Sequence, residues 1–151
     1  MLSFEKSTYI KCQIDDLFDF HLDSQNLTRI TPPNIKVTLL TPNFKARKDE
    51  ILKLSSIKNF IKTSWVVKID KLDKPNILID KALKSPFKYW EHHHIFIDHG
   101  DYCELKDVVL YKMPFGFIGE LFKFLIQKDL NSMFDFRHKV TKQILEKKVV
   151  V

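Results

Sequence analysis

Three adjacent histidines, His92, His93 and His94, stand in the stretch "SPFKYWEHHHIFID" (85–98), which otherwise reads as a β-strand. Imidazole titrates near neutral pH, ligates metals and moves protons, so this run is the first place to look for chemistry. Side chains alternate between the faces of a strand. His92 and His94 therefore share a face with Trp90 and Phe96, while His93 joins Glu91 on the other. The turn "DHGD" sets an expected register with the next strand: a two-residue loop at His99-Gly100 pairs Phe96 with Cys103, His94 with Leu105, His92 with Asp107 and Trp90 with Val109. Cys103, Leu105, Asp107, Val109 and Tyr111 then join the histidine face, and Glu104, Lys106 and Lys112 join His93 outside.

This grouping supports several chemistries. His92 and His94, at i and i+2, could both reach a zinc ion, with Asp107 as third ligand and water as fourth, although no second His or Cys cluster closes such a site. His21 and His138 fall on helices, where spacing alone does not place them. An Asp107–His92 pair could act as an oriented general base, taking a proton alpha to a carbonyl as cyclisation or dehydration of a polyketide-like substrate requires. The same groups could hold the polar end of a bound small molecule whose body meets Trp65, Trp90, Phe96 and Val109. They could equally be a buried hydrogen-bonded pair in a closed core. Cys12 and Cys103 have no neighbouring base in sequence, so no thiol nucleophile is indicated.

The elements that must position these residues follow from periodicity. Leu2–Cys12 alternates as a strand. "IDDLFDFHLDSQNLTRITPP" reads as two short helices, the first capped by Asp15 or Asp16, the second by Asp23 or Ser24 and stopped by Pro32-Pro33. Six strand-length runs follow, Ile35–Leu40, Glu50–Ile57, Phe60–Leu72, Asn76–Leu83, Tyr89–Asp98 and Asp101–Tyr111, with short turns that favour an antiparallel meander. From Gly116 to Lys147 the apolar residues keep the helical period over about eight turns, which predicts one long helix lying on the sheet. Arg137 on that helix is expected to form a structural ion pair.

At 151 residues the chain is expected to be one domain over 1–151, with 13 phenylalanines to build a core or a cavity lining. A net charge of +6 raises nucleic acid as a partner, but the lysines are interspersed with acids rather than gathered on one stripe, which argues against it. The start of the chain has no secretory pattern, no apolar run approaches the roughly 20 residues of a membrane span, and two distant cysteines indicate reduced thiols. A cytoplasmic location is expected, and no cofactor is indicated. Phe115 and Phe117 in "KMPFGFIGELF", beside Lys112 and Lys123, could form an apolar lip that touches a membrane surface transiently.

"NLTRITPP" (26–33), Trp65, "SPFKYWEHHHIF" (85–96), "DVVLY" (107–111), "MPFGFIG" (113–119) and "FDFR" (134–137) occur in an order that resembles the START-like, or SRPBCC, superfamily of polyketide-cyclase and lipid-transfer domains, in its bacterial ligand-binding branch. The chain departs from that pattern at Ala82, where the family often has Gln, and at Ser85, where it often has Gly. The resemblance implies an α+β helix-grip fold: a curved antiparallel sheet of about seven strands, β-αα-β6-α in order, around a long C-terminal helix, with an internal cavity for a hydrophobic small molecule or lipid. The expected ligand-contacting residues are Trp65, Trp90, His92, His94, Phe96, Asp107, Val109, Tyr111, Phe115 and Phe117; His92 and Asp107 are the candidates for catalysis.

Overall fold

Period-two patterning resolves into one sheet. In a computed structural model that describes residues 1–147, seven strands run β1 (Leu2–Ile10), β2 (Ile35–Leu39), β3 (Ile51–Lys58), β4 (Ile61–Asp73), β5 (Ile77–Lys84), β6 (Tyr89–Asp98) and β7 (Cys103–Lys112). Residues 148–151, the end of the expected domain span, lie outside the described residues. The strand order is β1-β7-β6-β5-β4-β3-β2, with every pair antiparallel. Register shifts at Val66/Val67 and Ile69/Lys71 interrupt the β4–β5 ladder, and such irregularities bend and twist a sheet. The sheet curls into a half-barrel around the C-terminal helix, as expected.

The β6–β7 hairpin closes over four residues rather than two, with the His99 amide donating to the Tyr102 carbonyl. The register accordingly moves by two: Trp90 faces Tyr111, His92 faces Val109, His94 faces Asp107 and Phe96 faces Leu105. A shift of two preserves the faces, because only an odd slip exchanges them. Cys103, Leu105, Asp107, Val109 and Tyr111 are all buried, in strict alternation with more exposed neighbours.

Helices α1 (Ile14–Leu22) and α2 (Ser24–Arg29) cover one end of the concave face. Gln13, not Asp15 or Asp16, occupies the first N-cap; the two aspartates lie in the first turn, where their charge meets the positive end of the helix dipole. Asp23 caps α2, accepting from the Gln25 amide at 3.0 Å.

The single long helix expected over 116–147 is instead α3 (Gly116–Leu121) and α4 (Lys123–Lys147), broken at Phe122, whose ψ of 0° leaves the helical region. Gly119 supplies a physical reason: a Cβ there would come within 2.1 Å of the Pro114 carbonyl oxygen, so α3 is folded tightly onto the strand exit. Only α4 follows the sheet, packing along β1 and burying Leu130, Phe134, His138, Thr141 and Leu145 on one stripe. One apolar cluster gathers around Phe18, Phe96, Leu105 and Leu145, and a second around Phe4, Trp90, Val109, Tyr111 and Phe134.

Candidate functional site

Between the concave sheet face, α1–α2 and α4 lies a cavity of about 560 Å³. Protein interiors rarely leave voids much larger than a water molecule, so a space of this size is a feature that the fold maintains. Its walls are mainly apolar, with Leu54, Trp65, Val67 and Trp90 from the sheet facing Met133 and Phe134 from α4. Trp65 is fixed edge-on to Trp90 at 5.4 Å between ring centroids, and its indole N–H donates to Thr63 Oγ1 at 3.2 Å.

One part of the wall carries a cluster of titratable side chains. Asp107 accepts from His92 Nε2 through Oδ1 at 2.9 Å and from His138 Nε2 through Oδ2 at 2.6 Å. His138 Nδ1 lies 2.8 Å from Thr8 Oγ1, which ties α4 to β1 through the same ring. His94 Nε2 donates to Asp80 Oδ2 at 3.0 Å, and His94 Nδ1 lies 3.0 Å from Asp107 Oδ1, although out of line for a hydrogen bond. The rings of His92 and His94 lie against each other with centroids 3.8 Å apart, tilted by 39°. His21 donates from Nδ1 to the Leu17 carbonyl at 2.8 Å and turns its ring toward His94 at 5.4 Å.

This arrangement divides the charges. Burial disfavours the imidazolium of His94, but the close carboxylates of Asp107 and Asp80, the latter also hydrogen-bonded to it, outweigh burial and lift its pKa to about 9. Burial and the neighbouring His94 charge keep His92 below its ordinary value, against the pull of Asp107. Burial likewise pushes His21 down to about 4. Burial would raise Asp107, yet the surrounding histidines hold it well below the usual carboxylate range, and Asp80 is lowered for the same reason. At neutral pH the cluster therefore contains two carboxylates, one imidazolium at His94, and neutral rings at His92 and His21. His92 donates a hydrogen bond from its Nε2–H to Asp107, so its Nδ1 carries a lone pair.

Of the residues singled out from sequence, Trp65, Trp90, His92, His94 and Asp107 line the cavity. Phe96, Val109 and Tyr111 are on the inner face but are taken up in core packing: Phe96 against Phe18, Val109 fully buried, and Tyr111 edge-on to Phe87. Phe115 and Phe117 are exposed on the lip before and within α3. His93 stays on the outer face, hydrogen-bonded to Glu91 at 2.6 Å. The expected ion pair of Arg137 is not formed with any described residue; Arg137 lines the cavity instead.

Asp80, His21 and His138 join the cluster without having been placed by spacing. Asp80 carried a readable signal, since it is an acid on the same strand face as Leu78 and Ala82. His138 shares its helix stripe with Phe134, Thr141 and Leu145, which marks a buried face but not the partner across it. Among the described residues, Asp80, His92 and His94 are the set able to hold a metal ion, with ligand atoms within 4.8 Å of one another. Asp107, considered from sequence as the third ligand, has both oxygens engaged by His92 and His138.

No family model matches the chain, and no curated protein matches it by sequence. Solved structures do. Protein CV1439 from Chromobacterium violaceum is similar with a TM-score of 0.75 at 10% identity, the match covering 95% of this chain and 96% of that one. A START superfamily protein from Mycobacterium smegmatis is similar with a TM-score of 0.69 at 12% identity, covering 96% and 97%. Ara h 8.0201 is similar with a TM-score of 0.66 at 13% identity, covering 95% and 97%. Near-complete coverage in both directions, together with the curled seven-stranded sheet and the helix lying along it, identifies the architecture: the chain has the START-like helix-grip fold.

Proposed function

We propose that this chain is a single ligand-binding domain, residues 1–151, that binds and carries a hydrophobic or amphipathic small molecule in its internal cavity. The observation that carries this reading is the cavity itself: about 560 Å³, walled mainly by aromatic and aliphatic side chains, with a hydrogen-bonded cluster of histidines and carboxylates in its wall. That is the composition of a small-molecule site, where burial supplies affinity and a few polar groups fix orientation. Trp65 and Trp90 would hold the apolar body, while His92, His94 and Asp107 would face the polar end.

Lipid exchange at a membrane surface fits the outside of the molecule. Phe115, Phe117, Ile118, Leu121, Phe124 and Leu125 are exposed together, and Phe60 and Ile61 are exposed at the β3–β4 tip. Lys58 on β3 bonds Asp129 on α4 at 3.0 Å, so these two apolar edges flank the same end of the cavity. Lys112 and Lys123 add positive charge beside the lip, as an interfacial contact with anionic lipid requires. No helix among the described residues is long and apolar enough to cross a membrane. Reduced cysteines fit a cytoplasmic setting.

A second reading, a cofactor-free cyclase or dehydratase acting on a polyketide-like substrate, is favoured by one observation. His92 keeps an unprotonated nitrogen at the cavity while Asp107 orients the ring, as a general base requires.

The test fills the space. Val67→Phe adds apolar bulk at the cavity wall, where the void can accept it. The variant is expected to keep its fold by circular dichroism and to lose at least tenfold in affinity for an apolar fluorescent probe such as anilinonaphthalene sulfonate. Unchanged probe binding would place the binding site elsewhere and remove the carrier reading. Replacing His92 by Gln separates the two functions: a carrier loses some affinity, whereas an enzyme loses turnover with binding kept.

A further inference from the structure

One cation at the cavity wall feels the charges of Asp107 and Asp80 but forms no ion pair with a described residue. Arg137, on α4, lines the cavity with its guanidinium carbon 5.4 Å from the Phe134 ring centroid. Its Nε is shut off from solvent and has no hydrogen-bond partner. No described carboxylate comes within ion-pair distance of it. The two nearest in the cluster are committed elsewhere, Asp107 to His92 and His138, and Asp80 to His94. Arg137 as a whole is half-buried, so the orphaned group is its Nε–H; arginine cannot shed its proton to relieve that position, and a shielded donor without an acceptor is costly. A planar fork of donors at the wall of a ligand cavity is suited to one complement above others, a carboxylate.

The position of Arg137 adds a direction. Asp129, one exposed end of the Lys58–Asp129 pair, marks the end of the cavity flanked by the apolar edges. Arg137 lies eight residues further along the same helix, about 12 Å at 1.5 Å per residue, next to the buried His138. The aromatic walls of Trp65, Trp90 and Phe134 occupy the span between. The cluster also sets the charge: Asp80 and Asp107 stand close by and would repel a dianion more strongly than a monoanion, so a carboxylate fits better than a phosphate.

We propose that the cavity takes a monocarboxylic amphipath, its carboxylate paired with the Arg137 guanidinium and its apolar body extending about 12 Å along α4 toward the Lys58–Asp129 pair. The proposal rests on the reading of the cavity as a ligand site and names the chemical class of that ligand.

Two acid–alcohol pairs of matching shape test it by titration calorimetry at neutral pH: decanoic acid with decan-1-ol, and biphenyl-4-carboxylic acid with biphenyl-4-methanol. The wild-type protein is expected to bind at least one acid about 10- to 100-fold more tightly than its alcohol, the range of a charge-assisted pair. Arg137→Met should abolish that preference, acid and alcohol then binding alike, with a circular dichroism spectrum that matches the wild type. Arg137→Lys should restore part of it, since charge returns without the fork. Equal affinity for acid and alcohol in the wild type, or a preference that survives in Arg137→Met, would overturn the carboxylate assignment while leaving the carrier reading standing. Failure of all four compounds to bind would overturn both.

Discussion

His138 on α4 and Asp107 on β7 are joined by a 2.6 Å hydrogen bond in the buried centre of the molecule, so the long helix is held to the sheet by a polar contact as well as by apolar packing. The same carboxylate holds His92, which makes Asp107 the shared acceptor of two buried rings. Asp107→Ala is expected to destabilise the fold by about 3–5 kcal/mol, because it strands buried donors rather than merely deleting a contact. Urea denaturation measures this; a loss below about 1 kcal/mol would mean that the rings find other partners.

The imidazolium of His94 makes stability depend on pH in a defined direction. Its folded pKa of about 9 lies above the ordinary 6.5, so its contribution is complete below pH 6.5 and is lost as pH rises through 9. The full effect is on the order of 3 kcal/mol. Denaturation midpoints between pH 6 and 10 should fall more steeply for the wild type than for His94→Gln; parallel curves would show that His94 is not charged in the folded protein.

Much of this was readable in advance, for identifiable reasons. Strict alternation in β6 and β7 assigned Trp90, His92, His94 and Phe96 to the inner face, and that assignment tolerated the wrong loop length because the shift was even. The break at Phe122 is not readable from the period, which runs straight through it; the close approach of Gly119 to Pro114 is a tertiary feature that the apolar pattern does not carry. The exposed Ile118, Leu121, Phe122 and Leu125 belong to that same period, so periodicity predicts a buried face where the fold leaves a lip. Arg137 was misjudged because pairing depends on which carboxylates are already engaged, and spacing along a chain does not carry that information.

The lip predicts membrane behaviour. Sedimentation with vesicles containing phosphatidylserine should recover the wild-type protein at low salt and release it at high salt, since the lysines contribute through screened attraction. Phe117→Glu with Phe124→Glu should reduce recovery at least fivefold without changing thermal stability, as both side chains are exposed. Equal recovery of wild type and variant would remove the lip from membrane contact.

Cys12 should be unreactive despite being half-exposed. Burial, and then the neighbouring Cys103, push its thiol up to about 12 from an ordinary 9. At pH 8 its thiolate fraction is about a thousandfold below that of a free cysteine, so alkylation by iodoacetamide should be slower by a comparable factor. Modification at the rate of free cysteine would contradict the packing of Cys12 against Cys103.

Comparison of native and denaturing mass spectra of gently purified protein reads the cavity directly. The carrier account predicts native mass in excess of the chain, a few hundred daltons of organic molecule that leaves on denaturation and is recovered in the solvent phase. Agreement of the two masses, both as purified and after incubation with a lipid extract and decanoic acid, would show a cavity that takes no ligand and would contradict it.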